Sequence, residues 1–531
     1  MSAFTIATAA QLLERHHLLR EIIHNGGWTL DASDVPGADN PIAAVTYDTR
    51  TVAPGSMLFV KGRFRPEFLD GIDGRGLAVY VAENDHSDRT AAPGLIVDDV
   101  HKAMSLLSAE FYGRPQDELT VIGITGTKGK TTTAYLVHAI LNDYSNQRAA
   151  LFSSEQTCLD GRTYTDSKLT TPESLDAFRM MRQAADNGMR YLVMEVSSQA
   201  YKVHRVHGLT FDIGAFLNIS PDHISPIEHP TFEDYLHCKR QLITNSKTLV
   251  LDAACDHHRL LMQDAAMADV PVAQYAFLDG ADDAAGADGS AGADSRSGIR
   301  DLFVAAHPDP HNRMGFLLTA DGEELGPFEL AMPGTFNIAN AAAAVAMALK
   351  AGVPATDPAI HAIERVSVPG RMERITAGGN LVVYVDFAHN YLSCKALVDE
   401  ALRAYGDRNP RITLVAGSTG GKAIDRREGI VKGADGRAEA FYFTLDDPNF
   451  EDPTAIAEQM RSYVTDPHAE THVIVPREDA IRAAIEDARR HADRFNVVLL
   501  AGKGHERRNI INGKPVPYEG DGPIARRLLG L

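Results

Sequence analysis

The stretch most able to do chemistry is a loop of glycines, lysines and threonines in GITGTKGKTTTAYLV, residues 123–137. It follows a β-branched run, LTVIGIT, and precedes TAYLVHAIL, whose apolar spacing is helical. Such a loop can cradle phosphates, because glycine lets backbone N–H groups approach the oxygens and the helix N-terminus adds partial positive charge. The context therefore predicts a site for a nucleoside triphosphate.

Each residue type in this loop has a distinct expected task. Lys130 would contact the β- and γ-phosphates, and the Thr131 hydroxyl would ligate Mg²⁺. The strict pattern G-x-x-x-x-G-K-[ST] is not met, because position 124 is Ile. The alternative is an ordinary glycine-rich turn before a helix. The residues predicted to hold the phosphates are Gly126, Thr127, Lys128, Gly129, Lys130, Thr131 and Thr132.

Further candidates for metal and phosphate chemistry follow later strands. Glu195 ends the strand in YLVMEV, where a carboxylate beside a phosphate loop is a common second holder of Mg²⁺. The alternative is an ordinary strand-end carboxylate. His223 follows an apolar strand and turn in NISPDH, which favours a metal ligand. Lys239 lies in a predicted helix, and spacing alone assigns it only a solvated charge.

Composition limits the class of protein. The chain has 531 residues, a formal net charge of −19 and 44% hydrophobic residues, without an apolar run of membrane-spanning length. With no basic stretch to offset the acidic balance, nucleic acid is not an expected partner. The four cysteines lack C-x-x-C spacing, so neither disulfides nor a zinc site is indicated. We predict a cytoplasmic protein without a membrane span.

The pattern of strands and helices predicts an α/β protein of three domains. Residues 1–117 hold short strands between turns, and residues 118–366 alternate strands with helices around the phosphate loop, which predicts a mostly parallel or mixed sheet. Residues 279–299 within that block read as a solvated insert. Residues 367–531 carry five apolar strands with intervening helices, which predicts a Rossmann-like, doubly wound domain with ligands at the strand carboxyl ends.

A series of short motifs occurs in order along the whole chain: YDTRTVAPGSMLFV, TGTKGKTTT, TTPES, MEVSSQA, NISPDH, EDYLHCKRQL, PGTFNIANAAAA, PGRME, VDFAHN, DDPN and AGKGHE. Together they resemble the Mur ligase family, the ATP-dependent amino-acid ligases of peptidoglycan precursor synthesis, most closely its branch that adds the third residue. The resemblance implies that ATP converts the D-glutamate γ-carboxylate of UDP-N-acetylmuramoyl-L-alanyl-D-glutamate to an acyl phosphate. The amine of the incoming amino acid then attacks, and phosphate leaves.

The resemblance also implies roles residue by residue. Thr131 and Glu195 hold one Mg²⁺, His223 holds a second with Glu195, and Lys239 matches the family's carbamylated lysine near that metal. With Lys130, the residues Glu195, His223 and Lys239 form the implied catalytic set. Asn337, Asn340, Arg371, Asp386 and His389 match further ATP contacts, while Tyr47, Thr49, Thr170, Thr171, Ser197 and Arg205 match contacts to the UDP-muramoyl-peptide.

The identity of the third amino acid follows from charge. Relatives that add meso-diaminopimelate carry Asp-Asn-Pro-Arg, whose arginine pairs the distal carboxylate. Here Asp446 precedes Asp447, and Asn449 takes the arginine position. Losing a cation and gaining a carboxylate favours a distal ammonium, hence L-lysine. L-ornithine, one methylene shorter, is poorly excluded by this logic, and diaminopimelate is the other alternative.

The holder of the amino-acid carboxylate is left open. In GSTGGKAIDRRE, Lys422 aligns with the arginine that many relatives use, and Arg426 and Arg427 are alternatives. Gly502 and Glu506 match the remaining amino-acid contacts.

Three rival functions remain at this point: a folylpolyglutamate synthetase, an ATP-gated binding module, and a kinase without amide formation. The N-terminal domain argues against the first, and the retained catalytic set argues against a degenerate site. We expect a monomer that binds only small molecules.

Overall fold

The computed structural model describes residues 3–221, 224–225, 228–278, 302–312, 315–320, 322–421 and 424–531. The described chain is mixed α/β and divides into two compact units. One contains the chain up to Ala276 together with Ala343–Ile360, and the other contains Ala305–Ala342 and His361–Leu531. The predicted insert at 279–299 lies outside the described residues.

The first sheet is built from the N-terminal strands. Its order is β2-β1-β6-β5-β4-β3, and the four predicted strands β3 to β6 pair in parallel. The hairpin β1–β2 was not predicted and adds an antiparallel edge. The elements are α1 (Ile6–Arg15), β1 (Leu19–His24), β2 (Gly27–Thr29), β3 (Ala44–Thr46), β4 (Ser56–Phe59), β5 (Leu77–Ala82), β6 (Gly94–Val97) and α2 (Val100–Phe111).

The second sheet of the first unit surrounds the phosphate loop. Its elements are β7 (Thr120–Thr125), α3 (Lys130–Tyr144), β8 (Ala149–Phe152), β9 (Gln156–Cys158), β10 (Tyr164–Asp166), α4 (Ser174–Asp186), β11 (Tyr191–Glu195), α5 (Ser198–Lys202), β12 (Ile213–Phe216), α6 (Phe232–Thr244), β13 (Leu249–Asp252), α7 (His258–Met267) and β14 (Val272–Phe277). The order β10-β9-β8-β11-β7-β12-β13-β14 is parallel from β8 to β14.

Parallel pairing explains why β7 is so apolar. Its residues from Val121 to Thr125 are all buried, as expected for a central parallel strand covered on both faces. The carboxyl ends of β8, β11, β7 and β12 therefore meet at one edge, where the predicted phosphate and metal residues follow.

Three further strands precede the alanine-rich helix α8 (Thr335–Lys350): β15 (Leu302–Pro308), β16 (Gly315–Ala320) and β17 (Glu323–Glu329). The last two pair as an antiparallel hairpin.

The C-terminal sheet is doubly wound, as predicted. It contains β18 (Glu373–Ile375), β19 (Leu381–Asp386), α9 (Tyr391–Tyr405), β20 (Arg411–Ala416), α10 (Asp425–Lys432), β21 (Ala440–Phe443), α11 (Pro453–Arg461), β22 (Glu470–Val473), α12 (Arg477–Arg490) and β23 (Asn496–Ala501). A small hairpin of β24 (Arg508–Ile511) and β25 (Lys514–Pro517) and the helix α13 (Asp521–Leu529) follow.

The order β18-β19-β23-β20-β21-β22 is parallel from β19 to β22, and only β18 is antiparallel. Alternate side chains of β19 show the two covered faces. Val382 and Tyr384 pack with α9 to α11, whereas Val383 and Val385 pack with α12 and α13.

The strands of these sheets keep to the predicted ranges. Strands β1 to β6 fall in 1–117, β7 to β17 in 118–366, and β18 to β25 in 367–531. Because chain contacts divide the protein into two units, the three-domain boundaries stay a prediction.

Candidate active site

Backbone geometry and hydrogen bonds hold the phosphate loop in shape. Gly129 caps α3 with a φ of +84°, a conformation that side chains other than glycine rarely adopt. A Cβ at Gly126 would lie 3.0 Å from the Leu217 Cβ. The Lys130 ammonium donates to the carbonyls of Gly126, at 2.9 Å, and Thr127, at 3.3 Å. The lysine therefore lies over the loop, as a phosphate contact requires.

Residues of the segment after β12 form hydrogen bonds with the same loop. Asn218 accepts from the Lys128 N–H at 2.9 Å and donates to the Lys128 carbonyl at 3.1 Å. Thr127 Oγ1 accepts from the Ser220 N–H at 3.0 Å and from the Tyr235 hydroxyl at 3.1 Å. Thr131 and Thr132, at the start of α3, are also buried. These bonds fix the loop, and they engage the N–H groups of Thr127 and Lys128.

Glu195 lies beside the loop because β11 pairs in parallel with β7, placing it opposite Ile124. Its carboxylate is fully buried and accepts from the N–H and the hydroxyl of Ser154, at 2.7 and 3.1 Å. Three predicted substrate contacts gather around it. The Thr170 hydroxyl lies 3.1 Å from the Ser154 hydroxyl, the Thr171 hydroxyl donates to the Glu195 carbonyl, and the Ser197 N–H donates to Thr171.

Lys239 is buried against the loop, not solvated. It lies on the inner face of α6 with Tyr235 and Leu242, and its side chain is 1% exposed. The Nζ atom donates to the Gly126 carbonyl at 2.8 Å and lies 4.9 Å from the centre of the Tyr235 ring. A lysine buried so close to the triphosphate loop is a candidate for chemistry and not only for solubility.

A buried network that the sequence did not reveal ties the segment before α6 to α5. His229 is fully buried, with Nδ1 2.7 Å from an Asp234 carboxylate oxygen and Nε2 2.9 Å from the Ser198 hydroxyl. Lys202 also donates to Asp234, and this bond holds the pKa of that carboxyl below its usual range. The network anchors one end of the segment. His223 lies outside the described residues.

Charged residues form a chain near the predicted UDP-muramoyl-peptide contacts. Glu173 bridges Lys61, at 2.8 Å, and Arg205, at 2.7 Å. Burial alone would raise the pKa of Glu173, but its bonds to the two cations lower it. Tyr47 lies under the Lys61 ammonium and donates to Asp176 at 2.5 Å.

Two cations against one carboxylate leave a positive local charge, which suits an anionic substrate group. Thr49, also predicted here, is half-buried and accepts from Arg75 through its carbonyl.

Two of the predicted ATP contacts lie in the first turns of α8. Asn337 and Asn340 are both buried, and Asn340 donates to the Asn337 side chain at 3.1 Å. Asn337 itself donates to the Pro333 carbonyl at 3.0 Å. The two amides therefore fix the turn that opens the helix.

Three predicted ATP contacts of the second unit lie on loops that pack together. The Arg371 guanidinium lies 4.9 Å from the centre of the Phe387 ring, and His389 Nδ1 lies 2.7 Å from the Phe387 carbonyl. Asp386 accepts from the Met372 N–H at 2.8 Å. A Cβ at Gly370 would lie 2.2 Å from the His505 nitrogen, so the loop carrying Arg371 touches the AGKGHE loop directly.

The predicted amino-acid residues form an acidic cluster at the carboxyl edge of the C-terminal sheet. Asp446 and Asp447 follow β21, and Glu506 follows β23. One oxygen from each carboxylate lies within 4.8 Å of the others. Lys503, fully buried, faces all three, at 3.5 Å from Asp446, 2.9 Å from Asp447 and 3.0 Å from Glu506. The prediction from sequence treated Asp446 and Asp447 without a neighbouring cation, and Lys503 supplies one.

Within this cluster, burial and the neighbouring charges shift the pKa values in opposite directions. Burial raises the pKa of both Asp446 and Glu506. Burial alone would lower the pKa of Lys503, but Asp446, Glu506 and Asp447 together raise it. Lys503 therefore remains an ammonium, and the carboxylates are the groups that take up protons as the pH falls.

Asn449 and Gly502 complete the cluster. Asn449 adopts a φ of +53° and bonds β24 through the Ile510 carbonyl, while its Oδ1 is buried without a protein partner among the described residues. A Cβ at Gly502 would lie 3.0 Å from an Asp446 carboxylate oxygen, so only glycine leaves that oxygen open.

The residues predicted to hold the amino-acid carboxylate differ in their surroundings. Arg427 is buried and engaged with Gln459, the Thr419 carbonyl and Glu451, which makes it a structural residue. Arg426 is half-buried on α10. Lys422 lies outside the described residues.

Comparison with known proteins identifies the family. A model of the Mur ligase middle domain matches residues 124–348, and a model of the Mur ligase glutamate ligase domain matches residues 370–504. The chain belongs to the Mur ligase family. It is thus an ATP-dependent ligase that forms an amide bond in peptidoglycan synthesis.

Two curated Mur ligases align over nearly their whole length. A UDP-N-acetylmuramyl-tripeptide synthetase of Bifidobacterium longum is 54% identical, with 100% of each chain covered. A UDP-N-acetylmuramoyl-L-alanyl-D-glutamate--L-lysine ligase of Enterococcus faecalis is 40% identical, with 97% of each covered. A solved UDP-N-acetylmuramoyl-L-alanyl-D-glutamate--2,6-diaminopimelate ligase shares the fold, with a TM-score of 0.63, 22% identity and coverage of 94% and 96%.

Among the described residues of this Mur ligase, no helix is long and apolar enough to cross a membrane.

Several residues of the site were missed from sequence, namely Ser154, Lys61, Glu173, Asp176, His229 and Lys503. Ser154 follows β8, a strand that was not predicted. Glu173 and Lys503 stand inside the recognised motifs TTPES and AGKGHE, so the signal was present but their partners were not visible.

Proposed function

We propose that this Mur ligase joins L-lysine to the D-glutamate γ-carboxylate of UDP-N-acetylmuramoyl-L-alanyl-D-glutamate. The observation that carries the choice of amino acid is the cluster of Asp446, Asp447 and Glu506, in which three carboxylates meet one ammonium. The excess negative charge attracts a distal ammonium and repels a distal carboxylate. The name of the Enterococcus faecalis relative supports the same substrate.

At the phosphate loop, Lys130 and the other residues of 126–132 would bind the triphosphate of ATP, with the N-terminus of α3 facing it. Oxygen ligands suit Mg²⁺, and the fully buried Glu195 carboxylate and the hydroxyl of the buried Thr131 are such donors. A bound Mg²⁺ would neutralise phosphate charge there. Asn337, Asn340, Arg371, Asp386 and His389 are proposed to complete the ATP site.

Lys239 is proposed to act as a carbamate, and His223 as a metal ligand. The buried position of the Lys239 Nζ beside Gly126 supports the first role, because a carboxylated lysine would present oxygens at the loop. Tyr47, Thr49, Thr170, Thr171, Ser197 and Arg205 are proposed to contact the UDP-muramoyl-peptide. The positive charge around Glu173 supports an anionic group of that substrate near Arg205.

The rival functions make different products. A kinase or an ATP-gated module would release or transfer phosphate without an amide product, and the two full-length relatives named above argue against a folylpolyglutamate synthetase. A cytoplasmic location and a monomeric state stay predictions from the sequence.

The test is product formation from L-lysine, L-ornithine and meso-diaminopimelate, measured by mass and by phosphate release. We expect kcat/KM for L-lysine to exceed that for meso-diaminopimelate by about a hundredfold or more, since a few kcal/mol of charge mismatch separates them. The double change Asp447→Asn with Asn449→Arg should weaken lysine use and admit some diaminopimelate. Comparable kcat/KM for the two amino acids in the unmodified protein would contradict the assignment.

A further inference from the structure

Lys503 of the amino-acid cluster uses all of its hydrogen-bond donors. Its ammonium is fully buried and has three donors, which meet Asp447 Oδ1 at 2.9 Å, Glu506 Oε2 at 3.0 Å and the Arg508 carbonyl at 2.8 Å. Asp446 Oδ1 lies next to it at 3.5 Å. The ammonium thus occupies the position between three carboxylates that could otherwise hold a metal ion.

We propose that Lys503 is the built-in counter-ion of the amino-acid pocket: it draws Asp446, Asp447 and Glu506 together and leaves them the charge to bind one substrate ammonium. Without a cation, three carboxylates at this spacing repel one another. With Lys503 in place, two negative charges remain when all three are ionised. This inference rests on the proposed function and adds a residue that sets its specificity.

The other charged groups around the cluster agree with this assignment. Arg477 acts on Asp446 electrostatically, and it is buried and paired with Asp521 at 2.6 Å. Its guanidinium also donates to the Ala501 carbonyl at 2.8 Å and the Leu445 carbonyl at 3.4 Å. Because Asp521 already neutralises Arg477, Lys503 is, among the described residues, the cation that compensates the three carboxylates of the pocket.

The donors of Lys503 also bear on selectivity. A cation in the pocket would bind the distal carboxylate of diaminopimelate only if the cation had a free hydrogen-bond donor. Asp447, Glu506 and the Arg508 carbonyl take all three donors. Lys503 therefore gathers the acidic groups without creating a site for a substrate carboxylate.

The first test is Lys503→Met, which removes the charge and keeps a similar apolar stem. We expect KM for L-lysine to rise about tenfold or more, with KM for ATP within about twofold of the unmodified value. Losing the cation should also raise the pKa of Asp446 and Glu506 further, so the acid limb of kcat/KM for the amino acid should move up by about one pH unit. Lys514→Met, at an exposed lysine of β25, is the matched control and should change neither quantity.

A second pair of variants keeps the inference testable if Lys503→Met does not fold. Asp447→Asn alone removes one negative charge, and Lys503→Met with Asp447→Asn restores the original net charge while keeping an oxygen for the Ile510 N–H. The proposal expects the double variant to have a lower KM for L-lysine than Asp447→Asn alone. A double variant that is worse, or a Lys503→Met protein with an unchanged KM and acid limb or with tighter lysine binding, would overturn it.

The product formed by the unmodified protein tests the proposed function. The counter-ion inference is read from ratios between variants, for whichever diamino acid the unmodified protein uses. The two can therefore fail separately.

Discussion

A lysine on the inner face of a helix is costly unless its charge is paired or its chemistry is changed. Lys239 occupies such a place on α6, where Tyr235 and Leu242 share its buried side. The spacing of these residues is helical, and it could have indicated from sequence that position 239 faces inward. At the residue scale, the structure thus gives Lys239 a reason to be reactive that composition does not.

Lys239→Ala should be nearly inactive, and a small carboxylate such as formate or acetate should partly restore activity. The reason is that a carbamate presents two oxygens next to Gly126, and a diffusible carboxylate can supply similar oxygens in the vacated space. The measurement is amide product with and without about 100 mM added carboxylate, with chloride at equal ionic strength as the control. Ordinary activity in the alanine variant would show that Lys239 has no role in the chemistry.

At the scale of elements, the alternating strands and helices predicted most of the fold. The four N-terminal strands, the three strands β11 to β13 and all five C-terminal strands are found where apolar runs placed them. The hairpins β1–β2 and β24–β25, the short strands β8 to β10 and the strands β14 to β18 were missed. The short strands lack a long apolar period, so periodicity alone does not find them. Side-chain partners between loops, such as Lys503 with Asp447, were also missed because sequence spacing does not report long-range contacts.

Gly370 tests how closely those loops must pack. Gly370→Ala would place a Cβ 2.2 Å from the His505 nitrogen, at a φ of +68°. We expect a loss of about 1–3 kcal/mol in stability and a fall in kcat, since the loops carrying Arg371 and Glu506 must separate. The matched control is Gly378→Ala, which has a φ of +92° but no atom within 4 Å of the added Cβ. Equal effects of the two changes, measured by denaturant unfolding and turnover, would show that backbone strain and not loop contact is responsible.

At the scale of the whole molecule, a chain with a formal net charge of −19 is proposed to bind two anionic substrates and one cationic one. The overall charge repels ATP and the UDP-sugar, so their binding must come from local positive groups. We propose Lys130 at the start of α3 and the pair Lys61 and Arg205 as these groups. The incoming amino acid needs the opposite arrangement, which the acidic cluster provides.

In the Lys130→Ala protein, ATP binding should therefore no longer raise the stability of the fold. In the unmodified chain, a non-hydrolysable ATP analogue at about a hundred times its Kd should stabilise the folded state by about 2.7 kcal/mol, seen as a rise in Tm. Without the Lys130 ammonium the analogue binds weakly, so this rise should disappear and phosphate release should fall by about two orders of magnitude or more. Lys247→Ala, at an exposed lysine of the same unit, should keep both the Tm rise and the turnover. A folded Lys130→Ala protein that retained the analogue-dependent rise would show that the triphosphate is held elsewhere, because no other change was made to the loop.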